Sequence, residues 1–138
     1  MHYSFFLTVT PANDVDNPAY CHIHLAAGVL ENIKLFFPVG CSQVIRATLE
    51  TDAVQLLPTN QNSYYSLDGE VVDANLHYDM DAETNSLWLK AWTIGSSYDH
   101  TLTLHCEVRG PDEPSLELVM SKILDTIDTL ADLIRNYF

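Results

Sequence analysis

A chain of 138 residues, 47% of them apolar, can close one hydrophobic core and carry one appended element, which excludes wholesale disorder. Nineteen acids against six bases give a formal charge of −13, a field that repels phosphate backbones and anionic lipid; neither nucleic acid nor a membrane is an expected partner. The same charge suits solubility at high copy number, a saline setting or a basic partner.

The chain opens with "YSFFLTV", a β-rich segment ended by the Pro- and Asn/Asp-rich loop "TPANDVDNP". "AYCHIHL" then alternates, placing Tyr20, His22 and His24 on one face and Cys21, Ile23 and Leu25 on the other. Further extended stretches are "VLENIKLFF", "CSQVIRATLE", "VQLL", "YYSL", "EVVDANLHYDM", "LWLKAWTI" and "HTLTLHCEV", separated by "PVG", "PTNQNS", "DG", "DAETNS" and "GSSYD". Eight or nine short strands with turn signals every eight to twelve residues predict a mainly β fold, an antiparallel sandwich of jelly-roll type. The expected core comprises Phe6, Ile23, Leu25, Ile33, Leu35, Phe37, Val44, Leu49, Leu87, Trp92, Leu102 and Leu104.

"RGPDEP" marks a boundary, so residues 1–110 are expected to form the sandwich and residues 111–138 a C-terminal helix capped by Asp112 or Ser115. In that helix Leu116, Met120, Ile123, Ile127, Leu130, Ile134 and Tyr137 recur at alternating spacings of four and three, a heptad seam. Leu124, Ala131 and Phe138 add a second line, Val119 and Leu133 widen the other side, and Ser121, Asp125, Asp128 and Asp132 occupy the outer face. A stripe this broad has to be buried: against a second copy, against another protein, or against the chain's own sheet. Isoleucine at both kinds of seam position leans toward three or more strands, so a homo-oligomer, a trimer first, is expected.

Candidate chemistry is sparse. His22 and His24 on one strand face could share a metal ion with His77, His100 or His105, but alternation explains them equally as polar residues on a solvated face. Asp79, Asp81, Glu83 and Asn85 resemble the start of a calcium loop but lack its sixth-position Gly and closing Glu, so no metal and no cofactor are expected. Cys21, Cys41 and Cys106 have neither disulfide nor zinc spacing and read as small buried thiols. Neither Cys41 after Gly40 nor the Asp99–His100 pair carries the surroundings of a catalytic group, and a non-enzymatic protein is expected. Trp88, Trp92, Tyr64, Tyr65 and Tyr98 offer the alternative of a carbohydrate-binding face.

Three segments together resemble a family of uncharacterised small β-sandwich proteins of phage-like and metagenomic origin. They are "TPANDVDNP" with "LAAGVLENIKLFFPVGC", then "QLLPTN", then "LKAWTIGSSYDHTLTLHCEV", in order over most of residues 4–108. The resemblance implies a compact structural component of a virion or similar assembly, without catalytic residues. Family members end soon after the last strand, so the helix sets this chain apart. A capsid decoration or cement protein, made in a host cytoplasm and resident in the virion, is the expectation. No segment reaches 18 apolar residues, and "MHYSFFLTVT" lacks the basic start of a secretion signal.

Overall fold

The computed structural model describes residues 1–83, 85–110 and 116–137, and of residues 116–118 the backbone alone. Eight strands are followed by one helix: β1 (His2–Val9), β2 (Ala19–His24), β3 (Gly28–Phe36), β4 (Ile45–Glu50), β5 (Gln55–Leu57), β6 (Val71–Met80), β7 (Ser86–Thr93), β8 (His100–Arg109) and α1 (Leu116–Tyr137). They form two antiparallel sheets, ordered β1-β8-β3-β6 and β2-β7-β4-β5. The pairs β1–β8, β2–β7, β3–β6 and β4–β5 are those of one long hairpin wrapped around a barrel axis, the jelly-roll topology expected from the sequence.

Alternation explains which side chains meet between the sheets. Leu102, Leu104, Cys106 and Val108 of β8 face Leu87, Leu89 and Ala91 of β7 and Ile45, Ala47 and Leu49 of β4, all buried. In β3 the parity changes: Leu30 is inside, but so are Ile33 and Leu35. A register shift between Leu30 and Asn32 supplies the extra residue, a bulge that lets both halves of the strand present apolar side chains to the core. Glu31, at this irregularity, accepts a 2.6 Å hydrogen bond from Arg109 Nε.

Two expected core residues are placed differently. Phe6 is 66% exposed, because β1 pairs Phe5 with Leu104 and Leu7 with Leu102, which turns Phe6 to the outer face opposite Thr103. Trp92 lies on the outer face of the second sheet and owes its burial to neighbours on that face. Val44 is partly buried against the core, and the other nine expected core residues are buried. "YYSL" forms no strand; Tyr65 alone bridges to Ala47, with reciprocal 2.9 Å backbone bonds.

The thiols give a direct check on the packing. Burial, and secondarily the nearby Cys21, push the Cys106 thiol up to about 12 from an ordinary 9.0. Cys41, also buried, is raised by burial and by the Asp68 charge, whereas Cys21 is half-buried and raised by burial alone. An aromatic disulfide reagent at pH 8 is expected to titrate at most Cys21 in the native protein and all three thiols in guanidinium. Rapid native reaction of all three would contradict the packing. Since the folded Cys106 holds its proton more tightly than the unfolded chain, its stabilising contribution is lost as pH rises from 9 toward 12.

Candidate functional site

The sequence-predicted seam is present. α1 runs 22 residues, about 33 Å, and its C-terminal turn carries Arg135, which complements the helix dipole. Met120, Ile123, Ile127, Leu130, Ile134 and Tyr137 project along one face and all are exposed, Ile127 at 54% and Tyr137 at 89%. The backbone of Leu116 is helical, but its side chain, like the capping positions Asp112 and Ser115, lies outside the described residues. Leu124 and Leu133 are exposed beside the seam, so the apolar face is wider than a two-helix contact uses. The acidic positions Asp125, Asp128 and Asp132 lie on the opposite side, where Arg135 reaches Asp132 at 3.2 Å. The sandwich does not cover this face.

A second feature occupies the outer face of the sheet β2-β7-β4-β5. Strand pairing sets Tyr20 beside Lys90, His22 beside Trp88 and Arg46 beside Trp92, giving an aromatic and basic surface. His22 stacks on Trp88, with ring centroids 4.4 Å apart, and hydrogen bonds Ser86; His24 stands 6.0 Å from it, ring to ring. Trp88 Nε1 donates to Asp52 at 2.7 Å. Tyr64 meets Trp92 edge-on at 5.9 Å. The Arg46 guanidinium lies 4.3 Å from the centre of the Tyr64 ring, and Lys90 lies 5.5 Å from that of Trp92.

Around Arg46 and Trp92 opens a cleft of about 630 Å³. One wall is the β1–β2 loop, fastened by the Thr93 N–H donating to Asn13 O at 2.7 Å, which brings Asp14 and Val15 over the sheet. The other is the segment around Asn62 and Tyr64, held by Gln55 Nε2, which donates to the carbonyls of Pro58, Asn60 and Ser63. Trp88 and Trp92 do share a face, as the sequence predicts, but Trp88 lines a separate shallow depression with Tyr20 and Asp52. Tyr65 packs on the core, and Tyr98 stands exposed on the β7–β8 loop, outside the cleft.

The remaining candidates disperse. Among the described residues no three His, Cys, Asp or Glu side chains are grouped to hold a metal ion. His77 pairs with Asp79 at 3.3 Å, Asp81 Oδ1 accepts the Glu83 N–H at 2.8 Å, and Asn85 is buried, donating to Leu25 O at 2.6 Å. Among the described residues no hydrogen bond or ion pair joins Asp99 to His100, and the Cys41 thiol is buried with its ionisation suppressed. No helix among the described residues is long and apolar enough to cross a membrane.

No family model and no curated protein matches the chain. Solved structures with partial likeness include the CBM36-1 domain of a multidomain xylanase from the hindgut metagenome of Trinervitermes trinervoides. It has 10% identity and a TM-score of 0.42, over 75% of this chain and 77% of that one. The pre-peptidase C-terminal domain of a Bacillus anthracis collagenase gives 14% identity and 0.42, over 78% and 88%. The Yersinia pseudotuberculosis-derived mitogen gives 11% and 0.39, over 83% and 92%. At these scores the likeness carries no argument about function, which rests on the site itself.

Proposed function

We propose that this protein is a non-enzymatic jelly-roll module clustered by its C-terminal helix, with copies of α1 associating through the Met120–Tyr137 face. One observation supports this above the others: a 22-residue helix exposes a continuous apolar stripe that its own sandwich leaves uncovered. A second copy is the favoured occupant because the seam is self-complementary. Apart from Glu117 and Thr126, the positions flanking it (Val119, Leu124, Ala131, Leu133 and Phe138) are apolar and carry no charge with which to select a different partner. Their apolar character also favours three or more helices, since flanking positions become buried as helix number rises. The specific form of this reading is a capsid decoration or cement component, as the sequence resemblance implies; capsid and portal genes beside its own would support that form.

Sedimentation equilibrium of the full chain tests the clustering. A mass near three times 15.5 kDa is expected at micromolar concentration. A monomer at every concentration would remove the proposal, and a dimer would retain association but discard threefold geometry.

The cleft on the outer sheet face supports a second reading, a carbohydrate-binding module. Its volume falls in the range of small-molecule sites, and it mixes aromatic, hydroxyl, amide and charged groups.

A further inference from the structure

We infer that the cleft beside Tyr64 binds a short saccharide bearing a carboxylate, with Arg46 as the residue that receives the acid. This rests on the carbohydrate reading and adds the ligand's charge to it. The sandwich segment, residues 1–110, contains only four of the six basic residues, Lys34, Arg46, Lys90 and Arg109, and two of these line one cleft. Lys90 is already paired there: Glu50 lies 3.9 Å away and also accepts from Thr48 Oγ1 at 3.2 Å. The Asp14 carboxylate is likewise engaged, accepting the N–H groups of Asp16 and Asn17 at 3.0 Å. Arg46 differs. Among the described residues its side chain forms no ion pair and no hydrogen bond; it is positioned only by the face of Tyr64.

A guanidinium over an aromatic face that makes no other bond keeps its N–H donors available for a two-point contact with a carboxylate. The contact with the Tyr64 ring holds the Arg46 guanidinium in place, so less freedom is lost when the acid arrives. The surrounding groups suit the rest of a sugar. The Lys90–Glu50 pair offers a donor and an acceptor for adjacent hydroxyls, Asn62 and Ser63 add rim contacts, and Val15 and Ile94 supply exposed apolar surface for ring carbons. A polyanion is disfavoured, since a chain of charge −13 repels every negative group beyond the one Arg46 can meet.

Isothermal titration of the full chain with galacturonate and with sialyllactose, each a single carboxylate, against the uncharged counterparts galactose and lactose tests the assignment. At least one acidic saccharide is expected to bind tenfold or more tightly than its neutral partner. Arg46→Gln should abolish that preference while the melting temperature holds, and Tyr64→Ala should weaken binding of the acid. Equal binding of acidic and neutral sugars, or no effect of Arg46→Gln, would overturn the acid assignment and leave the carbohydrate reading standing. No binding by any of the four sugars would remove both.

Discussion

Ile127→Asp is expected to convert the clustered protein into 15.5 kDa monomers while leaving the sandwich's β-sheet spectrum and melting temperature unchanged. Ile127 lies near the middle of α1, half-exposed in the isolated chain and flanked along the seam by Ile123 and Leu130. Burying an Ile stabilises by about 1.5–3 kcal/mol. Replacing it with a carboxylate removes that gain and adds the cost of an unpaired charge, roughly 3–5 kcal/mol where a buried ion lacks a partner. A symmetric cluster repeats the change in each copy, near a common axis, so the loss compounds to well over about 8 kcal/mol, far more than a micromolar association survives. Asp128→Asn, on the polar side of the same turn, is the matched control and should leave the mass unaltered or slightly favour association. Charge provides an independent check. Copies each carrying −13 repel one another, so raising salt from 50 to 500 mM should tighten the cluster rather than dissolve it. Dissociation by salt, or an unchanged mass for Ile127→Asp, would contradict association through this face.

The largest effect on the sandwich itself is expected at Gly28. Its φ is +151°, a backbone state that side-chain-bearing residues rarely adopt. A Cβ there would drive into the carbonyl oxygen of Arg109 and lie 3.2 Å from both the Arg109 carbonyl carbon and Val108 Cγ1. The chief obstacle is backbone of β8, paired there with Val29 of β3 and further held by the Arg109–Glu31 bond, so it cannot swing aside as a flexible side chain would. Gly28→Ala should therefore cost about 3 kcal/mol, combining a strained φ with a backbone clash, and lower the melting temperature by roughly 10 °C. Gly95→Ala separates the two causes: φ is +73° and nothing lies within 4 Å of the added Cβ, so only the left-handed strain of about 1–2 kcal/mol applies. Equal melting temperatures for the two variants would mean that the close approach of β3 to β8 is wrong.

These outcomes bear on what a sequence can disclose. Strand positions were legible because alternation and turn residues are local signals, and eight of the expected segments form strands. The helix face was legible for the same reason, its period being written within consecutive turns. Phe6 was not. "FFLTV" contains two adjacent aromatics, and only the pairing of Phe5 with Leu104, a strand made nearly a hundred residues later, decides which one turns inward. Trp92 illustrates a related ambiguity: it is largely covered, yet by Tyr64 and Lys90 on the outer face rather than by the core. The cleft was least visible, because Asp14, Arg46, Asn62 and Lys90 come from four separate segments with no spacing rule among them. One partial signal was available: Lys90 alternates with Trp88 and Trp92, whereas Arg46, in "CSQVIRATLE", meets its aromatic neighbours only through folding.

The nesting of β8 between β1 and β3 also dictates an order of events during synthesis. Until residue 109 has left the ribosome, the first and third strands have no neighbour to join them, and the first sheet stays split. Closure must wait for a pairing across the whole module, the slow kind of step in which a long loop is closed before its contacts reward it. Because α1 follows β8 in the chain, the exposed apolar helix emerges only after every strand needed for the sandwich is already outside. Association through α1, as proposed, would then begin only once the sheet edges of each chain can be paired.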